Sequence, residues 1–243
     1  MRQRSVPAAS SPYESSSFLD VPGLALRPGG TDLTDRALSC CGFAAGDRLL
    51  DVGCGSGATV EHLRNQHGLA AAGIDPSRAL IAGGLVRNPA LSLTEGRAEA
   101  LPVADRELDG ILCECVLSLV VQPCLVLREF GRALRPGGAL ILSDLYLRGD
   151  AESDRLTGLQ KGASTQGLMS RNALEALLDV SGFAICLWED HTRLLQELAA
   201  RLVLAHGSLD GLCCTSRDYG CSKTRPGYYL LVARTETISE SEP

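Results

Sequence analysis

The sequence predicts a single α/β domain, a mostly parallel sheet with helices on both faces. Three observations carry that expectation. Strand-like and helix-like segments alternate along the chain. One buried-strand pattern, Leu49-Leu50-Asp51-Val52, runs straight into a turn of three glycines and a helix start. A length of 243 residues with 45% apolar side chains suits one large core and would cramp two.

Taken in order, residues 1–20 are rich in Ser and Pro and lack an apolar run, so they read as a disordered arm and not a signal peptide. The domain is expected over 21–234, with 235–243 as an acidic tail. The first strand is expected at 48–52, followed by the turn 53–57 and a helix to about 66. A second strand at 69–74 ends on Asp75, and Pro76 and Ser77 open the next helix, with Pro suited to a first turn. Strands follow at 91–95 and 108–115. A helix over 125–134 is stopped by Pro136-Gly137-Gly138. The run 139–145, apolar until Ser143 and Asp144, reads as a central strand buried on both faces. Beyond a polar stretch at 148–167, a helix is expected from Ser170 to before Gly182, and a sixth strand at 183–189. An amphipathic helix at 192–206 and a last strand at 228–233 complete the series. The string Ala-Leu-Arg-Pro-Gly-Gly occurs at 25–30 and again at 133–138; the flanks differ, so it reads as reuse of a turn, not a repeat.

Composition narrows the function. With 29 acidic against 23 basic residues the net charge is −6, and no basic stripe stands out, which argues against a nucleic-acid partner. Charged residues interrupt every apolar run before it reaches membrane-spanning length. The expected location is the cytoplasm, where the ten cysteines would stay reduced.

The turn Gly53-Cys54-Gly55-Ser56-Gly57 is the most informative stretch. Glycines let a ligand approach the backbone and tolerate positive φ. The helix that follows offers free N–H groups to an anionic group. At the tip of the next strand, Asp75 can accept from two ribose hydroxyls, cap its helix, or do both. Dinucleotide-binding folds share such a turn, but here the spacing is G-x-G-x-G with Asp51 two residues ahead, and Arg135-Pro136-Gly137-Gly138 leads into the fifth strand.

On these motifs, over about residues 45–145, the sequence resembles the class I S-adenosylmethionine-dependent methyltransferases. Within them it is similar to the small-molecule group that includes ubiquinone-biosynthesis and arsenite methyltransferases. Support from Ser181-Gly182-Phe183 and the last strand extends to 233. The resemblance implies a Rossmann-like seven-stranded sheet, order 3-2-1-4-5-7-6 with strand 7 antiparallel, and S-adenosylmethionine as cofactor. It places Gly53, Gly55 and Gly57 around the methionine part, Asp51 at the loop and ammonium end, and Asp75 on the ribose. Cys54 and Pro76 fall inside the same two loops and count as cofactor-side positions. Gly96-Arg97-Ala98-Glu99-Ala100-Leu101-Pro102 is similar to the family's adenine loop, with Arg97 where an Asp is usual. That departure moves the adenine contact to Ala98 backbone atoms or Glu99, while Arg97 itself equally fits a solvated surface charge. Glu114 falls where the methionyl end meets the substrate.

Methyl transfer from a sulfonium is an in-line displacement that needs alignment and a dry pocket more than acid–base groups. Where a base helps, Glu114, Asp144, Tyr146 and His191 stand near strand ends; His191 also fits a helix cap. Substrate-facing segments are expected at 24–34 and 146–167, around a small-molecule acceptor. Cys113 and Cys115 should face one side of their strand and Glu114 the other. Together with Cys213, Cys214 and Cys221 they make a metalloid-thiolate site conceivable, with Arg217, Lys223 and Arg225 as nearby cations. No C-x-x-C pair occurs and the spacings match no standard zinc module, so incidental thiols and no metal ligand are the expectation. A non-catalytic cofactor binder and, more weakly, a thiol-dependent metalloid methyltransferase or a NAD-dependent oxidoreductase are the competing readings.

Overall fold

The computed structural model describes residues 27–148, 168–206 and 226–236. The expected arm at 1–20, the tail beyond 236, most of the 146–167 insertion, and Cys213, Cys214, Arg217, Cys221, Lys223 and Arg225 lie outside the described residues.

In chain order the elements are α1 (Gly30–Leu38), β1 (Arg48–Val52), α2 (Ala58–His67), β2 (Ala70–Asp75), α3 (Arg78–Arg87), β3 (Leu93–Glu95) and β4 (Leu108–Glu114). A 3-10 turn (Leu117–Leu119) leads to α4 (Pro123–Ala133), β5 (Leu134–Leu147), α5 (Arg171–Val180), β6 (Phe183–Asp190), α6 (Thr192–His206) and β7 (Pro226–Thr235). The strands form one seven-stranded sheet in the order β3-β2-β1-β4-β5-β7-β6. Pairing is parallel from β3 to β5, and β7 runs antiparallel to both β5 and β6. The expected sheet order and strand 7 direction therefore hold.

Strand alternation splits the core into two layers. Leu50, Val52, Ile111, Leu140 and Tyr229 pack with Phe130 of α4 and Leu178 of α5. Leu49, Leu112, Ile141 and Tyr228 pack with Leu33 of α1 and Leu63 of α2. Leu112, Phe130 and Ile141 are fully buried, and truncating one such side chain to Ala costs about 2–5 kcal/mol.

Two local expectations change. β5 starts at Leu134, not 139, and keeps Pro136-Gly137-Gly138 inside the strand. Leu134 pairs with Leu108, pairing resumes at Ala139 with Gly110, and Gly137 (φ 74) carries the excursion between them. Pro cannot donate to the ladder, so the extra residues bulge out. Pro76 precedes the helix instead of opening it: Ser77 is the N-cap, its hydroxyl accepting from the Leu80 amide at 3.3 Å. Among the described residues no helix is long and apolar enough to cross a membrane.

Candidate cofactor and acceptor site

The carboxyl ends of β1, β2 and β4 bring the sequence-predicted residues together, and backbone groups do most of the joining. The amides of Gly53 and Cys54 both donate to the Ile74 carbonyl, at 2.8 and 3.0 Å. One Asp75 carboxylate oxygen accepts from the Gly55 amide at 2.9 Å, and the other from the Ser77 amide at 2.8 Å. Asp75 thus braces both loops, while Ser77 caps the helix. The Gly96 amide donates to the Asp75 carbonyl at 3.1 Å, which sets the 96–102 loop beside the β2 tip.

The glycines serve different ends. Gly53 (φ 80) and Gly57 (φ 80) are held by packing: a Cβ at Gly53 would meet Val116 at 2.1 Å, and one at Gly57 would meet Leu93 at 2.8 Å. At Gly55 (φ 54) a Cβ would meet nothing closer than Leu80 at 4.0 Å. Its bare face opens outward, as close approach by a ligand requires. Cys54 is committed to the fold, because its carbonyl accepts from Gly57 and its side chain packs where a Cβ on Gly73 would sit.

Asp51, 2% exposed, has no hydrogen-bond donor on its carboxylate among the described residues. Burial pushes its carboxyl up, the neighbouring Glu114 and Asp75 add to this, and Arg27 opposes it. A buried carboxylate without a donor is costly unless a cation arrives. That vacancy of partners suits an ammonium group, and with the open Gly55 face and the Asp75 carboxylate it fits S-adenosylmethionine. Ala98 is buried, Glu99 partly exposed, and Arg97 points to solvent with its side chain 73% exposed, 3.5 Å from Glu99.

Glu114 is not a free base here. Its carboxylate is ion-paired with Arg27 and accepts from Thr34 at 3.0 Å and Thr59 at 3.4 Å. Arg27 also donates to Thr34 and Thr59, so α1, α2 and β4 meet at one buried ionic cluster. Arg27, Thr34 and Thr59 were not singled out from the sequence beyond the 24–34 segment, since only the fold joins them. Asp144, expected as a base candidate, accepts from the Ser118 amide, the Ser118 hydroxyl and the Leu145 amide, and so anchors the 3-10 turn. Burial pushes its carboxyl up against those hydrogen bonds.

At the carboxyl end of β5, the Tyr146 hydroxyl donates to Asp190 at 2.5 Å, and its ring lies edge-on to Trp188 and Tyr229. His191 holds Glu189 at 2.9 Å. The α6 start is braced by Asp190, which accepts from the Thr192 amide, so the capping role suggested for the His191 side chain falls to its neighbour. The strand-four cysteines also differ from expectation. Cys115 (φ 57) leaves the strand in a left-handed conformation, so Cys113 packs in one core layer and Cys115 against the other. Burial pushes both thiols up, and Cys115 meets the Tyr228 hydroxyl at 3.2 Å.

A family model described as a methyltransferase domain matches residues 50–142. The chain is 32% identical to methyltransferase GfsG of Streptomyces halstedii, over 86% of this chain and 81% of that protein. It is 29% identical to O-methyltransferase resE of Aspergillus sclerotiorum over 60% of this chain, and spans 58% of that protein's length. In fold it is similar to the [4+2]-cyclase SpnF, with a TM-score of 0.65 and 24% identity over 85% of this chain and 80% of that one. Sheet order, glycine loop, paired Asp residues and these likenesses agree: the chain belongs to the class I S-adenosylmethionine-dependent methyltransferases.

Proposed function

We propose that the chain transfers a methyl group to a small-molecule acceptor admitted over the carboxyl ends of β4 and β5. The observation that carries this reading is Asp51, a buried carboxylate without a donor beneath a glycine loop whose open face is Gly55. When bound, S-adenosylmethionine supplies an electrophilic methyl on a sulfonium. Asp51 binds the ammonium, Asp75 orients the ribose, and Ala98 and Glu99 border the adenine. Glu114 and Arg27 close the methionyl end.

Every candidate base is engaged among the described residues: Glu114 by Arg27, Asp144 by Ser118, Tyr146 by Asp190 and His191 by Glu189. Transfer therefore rests mainly on proximity and alignment, and His191, held by Glu189 through one ring nitrogen, keeps the other for an acceptor that must lose a proton. The exposed thiols of Cys40, Cys124 and Cys186 suit a reducing, cytoplasmic setting. Calorimetry with S-adenosylmethionine, then label transfer from methyl-tritiated cofactor to a pool of small metabolites, tests the reading. Binding with transfer is the expected result. Binding without transfer to any small molecule would leave a cofactor-binding protein and overturn the catalytic reading.

A further inference from the structure

One turn away from the ionic cluster lies a second group that the methyl-transfer reading does not use. Asp35 of α1 and His62 and His67 of α2 converge, with both Nε2 atoms facing the same carboxylate oxygen, at 2.6 Å from His62 and 2.8 Å from His67. The two rings stand edge-on, 5.3 Å between centroids and 67° between planes, so each points its Nε2 inward. All three candidate ligand atoms lie within 4.8 Å of one another.

From these contacts we infer that Asp35, His62 and His67 form a site for a divalent transition cation such as Zn2+ or Co2+. Two imidazoles and one carboxylate are the donor set such ions take when one or more positions stay open to water. Tetrahedral bonds of about 2.0–2.2 Å set neighbouring donor atoms roughly 3.3–3.5 Å apart, so the Asp35 oxygen would draw back from each Nε2 by somewhat less than about 1 Å, within reach of side-chain rotation. Side-chain exposures of 43% for Asp35, 17% for His62 and 32% for His67 leave solvent access for the remaining positions. Among the described residues, the other paired carboxylates meet an Arg, whereas Asp35 faces imidazoles alone. Burial pushes the Asp35 carboxyl up, yet hydrogen bonds from His62 and His67 prevail and hold it below the usual carboxylate range.

The position gives the ion a structural consequence. Asp35 follows Thr34 on α1, and His62 stands one helical turn beyond Thr59 on α2. Those two threonines hold Glu114 and Arg27. A cation here staples the two helices that frame the methionyl end of the cofactor site.

The test is Co2+ titration of the full, reduced chain, followed by visible d–d absorption, with His67→Gln and Asp35→Asn in parallel. Both are partly exposed substitutions; far-UV circular dichroism confirms that each variant folds. The wild type is expected to bind one Co2+ equivalent that both variants lose or bind at least tenfold more weakly. Zn2+ is expected to raise the melting temperature of the wild type and not of the variants. Ten cysteines offer other ligands. Equal Co2+ affinity and stoichiometry in wild type and variants, or a thiolate charge-transfer band as the only signal, would overturn the proposal, as would no binding. None of these outcomes decides S-adenosylmethionine binding, which is measured separately.

Discussion

The two halves of the sheet are held together by different chemistry. Around the tips of β1 and β2, the loops that face the cofactor are joined through the backbone: Gly53 and Cys54 to Ile74, Gly55 and Ser77 to Asp75, and Gly96 to Asp75, while side-chain pairs such as Arg78–Glu95 lie outside that cradle. At the β5–β7–β6 end, side chains meet side chains: Tyr146 with Asp190, Cys115 and Ser143 with Tyr228, and Arg171 over the Trp188 ring. A backbone cradle recognises whatever fits its shape and tolerates change in most of its side chains. A side-chain wall changes its surface with every substitution. The first half suits a constant cofactor, and the second a variable acceptor.

The largest expected effect tests the cradle directly. Gly55→Val places a side chain on the open face and should abolish S-adenosylmethionine binding by calorimetry, with far-UV circular dichroism near that of the parent. The φ of 54° adds strain of about 1–2 kcal/mol, which lowers the melting temperature without unfolding the domain. Gly53→Val should behave differently. Its Cβ would meet Val116 at 2.1 Å, so stability and binding fall together. Unchanged cofactor affinity in Gly55→Val would remove the site from this loop.

Asp75→Ala comes next. Loss of a charge-assisted acceptor should cost about 1.5–3 kcal/mol, roughly ten- to a hundred-fold in affinity. Because Asp75 also accepts from Gly55 and Ser77, Asp75→Asn should restore part of the loop but less of the affinity. Full affinity in Asp75→Ala would reduce Asp75 to a brace.

These two residues also show how far the sequence could be read. Asp75 and the glycines announced themselves because a backbone cradle must be written locally, as a short strand-turn-helix string. The strand order came from resemblance and held. Pro136-Gly137-Gly138 misled at β5 because Pro and Gly signal a break whether the strand ends or bulges around them. Arg27, Thr34 and Thr59 escaped notice because each is ordinary alone, and their partner Glu114 lies 87, 80 and 55 residues away. Asp35, His62 and His67 were invisible for the same reason: they meet across two helices, with no motif spacing. Cys115 turned the opposite way from its expected face because its left-handed φ resets the strand alternation.

A smaller effect sharpens the role of Asp51. Its carboxyl ordinarily titrates at 3.8, and burial beside Glu114 pushes it up to about 8 in the folded chain. The folded state therefore keeps a proton that the unfolded state releases. The stability from this group is fully present below about pH 4 and is lost as pH rises through about 8. Cofactor binding runs the other way, since an ammonium prefers the ionised carboxylate. Affinity should rise with pH across that window, by at most about tenfold per unit. Asp51→Asn should flatten both profiles. A cofactor affinity that keeps the parent's pH dependence in Asp51→Asn would assign the titration to another group.

Tyr146→Phe carries the smallest expected effect and asks whether the two halves are independent. The substitution keeps the ring, which packs edge-on to Trp188 at 5.6 Å and to Tyr229 at 6.2 Å and covers the bare face of Gly227. It removes the hydroxyl's bond to Asp190 and its contact with the Thr192 hydroxyl, and Asp190 retains the Thr192 amide as a donor. The cost should be about 0.5–1.5 kcal/mol in stability, the ordinary worth of one such bond. No part of the backbone cradle touches this hydroxyl among the described residues, so S-adenosylmethionine affinity should not change. If the acceptor rests on the wall shaped by Tyr146 and Asp190, transfer should fall severalfold in kcat/KM. A loss of cofactor affinity as large as the loss of kcat/KM would break the comparison: the halves would then be coupled through β5, and the side-chain wall would be part of the cofactor site. Equal turnover in Tyr146→Phe and the parent would instead move the acceptor away from this wall.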